Sequence, residues 1–266
     1  MMKQVLSKDG TKIAFDQSGE GAPVILVGGA LQDRAIDLPT VQLAALLAEN
    51  FTVFHYDRRG RGDSGDTPSY AVEREIEDLS ALIDVAGGSV GVFGMSSGAV
   101  LALRAADSLK ITRLALYEPP FIVDDSRPPL PDDYLAKLMK LLSSNQRGDA
   151  VALFMTEAVG VPAEYIAPMR NEAFWSGFEA VAHTLVYDAM IMGDTMRGSP
   201  QPLWKWSSIR VPTLVIGGSE SPPYQQKAIQ MLVEILPDAR RRTLEGQAHD
   251  VSPEVLAPVL RKFLLG

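Results

Sequence analysis

The chain has 266 residues, 46% hydrophobic and 22% charged, an ordinary composition for a globular catalytic domain large enough to bury a core. A net charge of −8 argues against a nucleic-acid partner, which needs clustered Lys and Arg, and the lack of cysteine removes disulfides, thiolate metal sites and thiol nucleophiles. Met1–Gly10 is polar with no signal-peptide core, and no apolar run reaches a membrane span, so a cytoplasmic enzyme with no membrane partner is expected.

Taken in chain order, Lys3–Ser7 and Thr11–Asp16 flank Asp9-Gly10, a hairpin signal. Pro23–Val27 reads as a buried strand ending at Gly28-Gly29, Leu38–Glu49 as a helix and Phe51–Tyr56 as a strand. The Gly- and Arg-rich turn Asp57–Gly65 follows. Val72–Ala86 has helical spacing at Val72, Ile76, Leu79, Leu82 and Ile83. Ser89–Phe93 predicts a strand, Ser97–Ser108 a helix and Ile111–Tyr117 a strand. Such alternation implies a mostly parallel sheet with helices on both faces. The rhythm then stops. Between Pro119 and Trp206 no buried strand is evident. The spacing predicts helices over Asp133–Leu142, Ala150–Glu157 and Glu172–Met192, with Pro-rich joints between them. Strand and helix return at Val211–Gly217 and Gln225–Leu236, then at Arg240–Leu244 and Val255–Leu264. The expected organisation is an α/β core, residues 1–120 and 207–266, interrupted by a helical insertion over 121–206.

Two segments match G-x-S-x-G: Gly87-Gly88-Ser89-Val90-Gly91 and Gly94-Met95-Ser96-Ser97-Gly98. Ser89 precedes an apolar strand, whereas Ser96 follows it and opens an Ala-rich helix. A sharp strand-to-helix turn lifts a serine hydroxyl to the carboxyl edge of a sheet, and the helix-start N–H of Ser97 faces a developing oxyanion there. Ser96 is therefore the candidate nucleophile. The three histidines are scattered and offer no metal-ligand spacing, and no Gly-rich phosphate loop with lysine is present, so neither a metal nor a cofactor is expected.

Three landmarks together, Val24–Ala30 with its Gly-Gly turn, Asp57-Arg58-Arg59-Gly60-Arg61-Gly62-Asp63-Ser64, and the Ser96 turn, make the chain resemble the α/β-hydrolases over nearly its whole length. The resemblance implies an eight-stranded sheet and a cap formed by the insertion. It implies the order nucleophile, acid, histidine, which selects His249 in Gly246-Gln247-Ala248-His249-Asp250 as the base; His183 lies in the insertion and His55 within a strand. The usual acid position, three residues past Gly218, is Ser221, so the sequence departs from the family pattern. Some relatives, such as the haloalkane dehalogenases, carry the acid at the end of the preceding strand. Glu118 occupies that place here; Glu220 is the alternative, and Asp250 or no acid at all is left open. The second oxyanion N–H is expected from Ala30, or from Gly29 if the alignment shifts by one.

The expected activity is cofactor-independent hydrolysis of a carboxylic ester or lactone of a small, largely apolar substrate through an acyl-enzyme on Ser96. Carbon–carbon bond hydrolysis, perhydrolysis, lyase chemistry and non-catalytic ligand binding share the fold and remain alternatives. Phe121, Met139, Phe154, Met155, Phe174, Trp175, Phe178, Met190 and Met192 of the insertion suggest an apolar pocket, with most of them expected in the insertion's own core instead. Oligomeric state is not legible.

Overall fold

A computed structural model describes residues 2–266. Eight strands, β1 (Lys3–Leu6), β2 (Lys12–Ser18), β3 (Ala22–Val27), β4 (Phe51–Tyr56), β5 (Val90–Met95), β6 (Ile111–Tyr117), β7 (Thr213–Gly218) and β8 (Ala239–Leu244), form one sheet in the order β1-β2-β4-β3-β5-β6-β7-β8. β1 and β2 pair antiparallel, as does β2 with β4, and all remaining pairs are parallel.

The interior strands are apolar on both faces because helices cover both. On β6, Leu114 and Leu116 face one core while Ala115 and Tyr117 face the other. The first core packs under α2 (Val72–Val85), α3 (Ser97–Ala105) and α9 (Pro223–Ile235); the second packs under α1 (Leu38–Leu47) and α10 (Pro253–Leu265). At about 25 cal/mol per Å2, each fully buried Leu or Phe in these cores contributes on the order of 2 kcal/mol. No helix among the described residues is long and apolar enough to cross a membrane.

Between β6 and β7 the described residues form helices and turns only: α4 (Tyr134–Ser143), α5 (Arg147–Leu153), α6 (Ile166–Met169), α7 (Trp175–Val181) and α8 (Leu185–Met192). Two expectations need correction. The single helix expected over Glu172–Met192 is broken at Ala182–Thr184, a 3-10 turn. There the Thr184 hydroxyl bonds the Val181 carbonyl at 2.8 Å, a local bond that competes with the helical ladder. The helix expected over Ala150–Glu157 starts earlier, as α5, and passes at Phe154–Val159 into a π-helical turn that stops at left-handed Gly160. α6 and a 3-10 helix at Gln201–Trp206 were not evident, because Pro168 and Pro202 lie within them and mask helical periodicity.

Tyr134, Leu138, Val151, Trp175 and Leu185 give the insertion its own small core, which Leu31 of the sheet domain joins. Ile191, Met192 and Trp206 instead pack into the core above α3. The insertion is thus bonded to the sheet domain at the carboxyl edge, where β3, β5, β6 and β7 end.

Candidate active site

β5 ends in the turn that carries Ser96. Ser96 has φ 56° and ψ −126°, a conformation that L-residues rarely adopt and that a surrounding structure must enforce. Its N–H donates to the Tyr117 carbonyl at 2.9 Å, tying the bend to the neighbouring strand. The flanking glycines permit the crossing of backbone. A Cβ on Gly94 would sit 2.6 Å from the Gly98 carbonyl oxygen, and one on Gly98 would run into the carbonyls of Val27 and Gly28. Ser89, by contrast, is exposed at the entry of β5, at the opposite edge from Ser96.

β6 ends one residue before Glu118, which takes a left-handed conformation, φ 44°, and is 1% exposed. Its Oε2 lies 2.9 Å from Nδ1 of His249, the geometry of an Nδ1–H donor, which leaves Nε2 as the basic nitrogen. Its Oε1 accepts from the Gly218 N–H at 2.9 Å and from the Ser221 hydroxyl. Three donors thus face a buried carboxylate, which offsets the desolvation of its charge. Ser221, at the position where the family pattern led one to look for an acid, holds Glu118 in place. Glu220 is exposed; its side chain meets only the Ser219 hydroxyl at 3.3 Å, away from His249. Asp250 is exposed and makes no bond to the imidazole.

His249 sits in the loop between β8 and α10. A Cβ on Gly218 would overlap the Gln247 carbonyl, so glycine at 218 lets this loop close on the end of β7. The buried Tyr117 hydroxyl donates to the Ala248 carbonyl beside the histidine. Burial, with the Glu118 and Asp250 charges nearby, pushes the Tyr117 phenol far above its ordinary value, so it remains a donor. The His249 side chain is half exposed and lines the cavity that Ser96 also lines, and no direct hydrogen bond joins the two side chains. Such contacts are often long until substrate is bound.

That cavity, about 430 Å3, also takes in Ala30, Ser97, Glu118 and Asp188, and its remaining lining is mostly apolar, with Leu130, Phe154, Leu185, Met192 and Met196 beside the polar Arg197 and Gln225. Of those aromatic residues and methionines of the insertion, Phe154, Met190 and Met192 line it. Met155 and Trp175 belong to the insertion core, Phe121 packs on Trp206, and Met139 and Phe174 face solvent. A second cavity, about 410 Å3, lies between α1 and the start of α10 and shares His249 and Asp250 as wall.

Ser97 and Ala30 line the cavity with Ser96. Ser97 begins α3, and among the described residues no backbone acceptor takes the Ala30 N–H. The Gly29 N–H is already given to Gln32 Oε1. A Cβ on Gly29 would lie 3.0 Å from Ser96 Cβ, so this glycine lets the two turns abut.

The Asp57–Ser64 turn holds what sequence reasoning missed. Arg58, Arg59 and Arg61 are fully buried. Arg58 pairs with Glu75 at 2.7 Å and with Asp188 at 2.8 Å, Arg59 with Asp78 at 2.7 Å and Asp9 at 2.9 Å, and Arg61 with Asp188 at 2.7 Å. Glu75 and Asp78 stand one turn apart on α2, a visible signal; Asp188, in α8, carried none. Burial pushes the Asp188 carboxyl up, but Arg61, Arg58 and the Ser97 hydroxyl outweigh it and hold it below the ordinary carboxylate value. The other two histidines lie outside the cavity walls. His55 is buried in β4, and burial lowers its pKa against the pull of Asp37 and Asp57. His183 packs against Gly60 with Nε2 3.7 Å from Asp66, and burial lowers its pKa too.

A family model described as the alpha/beta hydrolase family matches residues 24–259. An alpha/beta hydrolase from Sphaerobacter thermophilus is 56% identical, with a TM-score of 0.90, 98% of this chain and 99% of that one being covered. A thermophilic esterase from Thermogutta terrifontis is 21% identical, TM-score 0.71, with 100% and 98% covered. An enol-lactonase from Burkholderia xenovorans is 21% identical, TM-score 0.70, with 99% and 100% covered, and at such identities the likeness is one of fold. A search of curated proteins returned no match.

Proposed function

Since the chain belongs to the alpha/beta hydrolase family, we propose that it is a cofactor-independent serine hydrolase of small, largely apolar carboxylic esters or lactones, working through an acyl-enzyme on Ser96. The observation that carries this reading is the 2.9 Å contact between Glu118 and His249 Nδ1, in a cavity that the imidazole shares with Ser96. Glu118 fixes the tautomer that leaves Nε2 free to accept the Ser96 proton, and stabilises the imidazolium that forms. Ser96 Oγ then attacks the carbonyl carbon, and the carbonyl oxygen takes up the negative charge against the Ser97 and Ala30 N–H groups. Collapse of the tetrahedral intermediate expels the alcohol, protonated by His249; water, deprotonated by the same ring, releases the acid from Ser96.

The insertion acts as a cap over this site. Mostly apolar walls and a volume of about 430 Å3 suit a largely apolar acyl group of modest length. Cytoplasmic location belongs to the same reading.

A fluorophosphonate probe followed by peptide mapping, together with p-nitrophenyl esters of graded chain length, tests it. Ser96 takes the label, and Ser96→Ala abolishes both labelling and ester turnover. Labelling at Ser89, or unchanged turnover in Ser96→Ala, refutes the assignment. Ser96 labelling without turnover of any simple ester redirects it to carbon–carbon bond hydrolysis, perhydrolysis or lyase chemistry on the same serine.

A further inference from the structure

Asp188 projects from α8 of the insertion into the sheet domain and is 4% exposed. Its Oδ1 accepts from the Ser97 hydroxyl at 2.7 Å and from Arg58 Nη1 at 2.8 Å; its Oδ2 accepts from Arg61 Nη2 at 2.7 Å. The two arginines lead on to the other side of the site. Arg61 Nη1 donates to the Gly29 carbonyl, and Arg58 Nη1 approaches the Gly28 carbonyl at 3.4 Å. Arg58 is itself held by Glu75 of α2 through two bonds, at 2.7 and 2.9 Å. One carboxylate is therefore joined to both backbone turns that border Ser96: directly to Ser97, and through Arg61 to the turn that presents Ala30.

Charge pairing alone does not account for this arrangement. Arg58 and Arg61 already neutralise Asp188 and offset its repulsion of a nearby oxyanion. The bond to the uncharged Ser97 hydroxyl adds orientation. Ser97 is the first residue of α3 and lines the cavity, and a hydroxyl fixed by a buried carboxylate restricts rotation of the backbone that carries its N–H.

We propose that Asp188 is a positioning residue, set in the insertion, that aligns the two oxyanion N–H groups of the sheet domain. The proposal rests on the reading of Ser97 and Ala30 as oxyanion donors. Only an enzyme with the insertion seated then has an aligned oxyanion site.

The test compares wild type, Ser97→Ala, Asp188→Asn and the double variant on the best p-nitrophenyl ester, with an alkylboronic acid as tetrahedral analogue. Ser97→Ala keeps the backbone N–H and every ion pair and loses only the hydroxyl. It lowers kcat about tenfold, less than outright loss of an oxyanion donor, and raises the boronate Ki by a like factor, while KM stays within about twofold. Asp188→Asn shifts the same two quantities in parallel, and the double variant is no worse than Asp188→Asn. A merely structural bond would move the melting temperature and leave kcat and Ki in place. Ser97→Ala with kcat and boronate affinity within about twofold of wild type overturns the proposal, even should Asp188→Asn fail to fold. Absence of Ser96 labelling in wild type overturns the parent reading instead, and is distinguishable because labelling is measured separately.

Discussion

Glu118 is almost entirely withdrawn from water, yet three hydrogen bonds meet its two oxygens. Replacing it with Gln keeps the shape and removes the charge that, in the proposed mechanism, steadies an imidazolium. Glu118→Gln is expected to lower kcat by about 10^3- to 10^4-fold with little change in KM, as steady-state kinetics would show. Glu220→Gln, on an exposed side chain, leaves both constants unchanged, and the reverse pattern would reassign the acid. The meeting of Ser96, His249 and Glu118 at one cavity was legible in sequence because each stands at the end of a strand or in a loop with a recognisable neighbourhood. Glu118 needed the family resemblance as well, since a lone Glu before two prolines says nothing of a histidine 131 positions on. Asp188 was not accessible. Its partners Arg58, Arg61 and Ser97 lie 130, 127 and 91 positions away, and only the folded chain brings them together.

At the level of elements, the unit that matters is β5, its bend and α3. Gly98 sits where α3 crosses the end of β3 so closely that a methyl group would overlap two carbonyls. Gly98→Ala forces backbone apart and is expected to destabilise the fold by about 1–3 kcal/mol, read from denaturant midpoints at constant m. Ser96 labelling should slow in the same variant, because the bend cannot move without moving the hydroxyl. The sheet domain was legible for related reasons. Strands buried on two faces are uninterrupted apolar runs, and Gly-rich turns punctuate them, so β4 and β6 fall on their expected limits. The insertion was less so. Its segments are short, several hold proline, and the break at Ala182–Thr184 arises from Thr184 bonding backward and receiving Arg61 Nε, a contact no local pattern encodes.

For the molecule as a whole, insertion and sheet domain meet through buried charge as well as apolar packing. Asp188 is the only acid that α8 lends to this contact, facing Arg58 and Arg61 with Ser97 and Thr184 beside them. Its folded pKa lies below the ordinary 3.8, so unfolding takes up protons in mild acid. Its contribution to stability is complete above that value and is lost as pH falls through the lower folded value. The melting temperature of wild type should therefore exceed that of Asp188→Asn most near neutrality, and the gap should narrow below about pH 4. A gap constant with pH would show that the charge of Asp188 does not stabilise the assembly.

The pairing of Tyr117 with Ile216 across β6 and β7 fixes where the next residue, Glu118, points. The Glu118 N–H donates to the Ile216 carbonyl at 3.0 Å, so displacement of β6 along β7 by a single step would carry that carboxylate away from His249. Under the proposed function, competence for ester cleavage would depend on the register of β6 against β7 as much as on the side chains themselves.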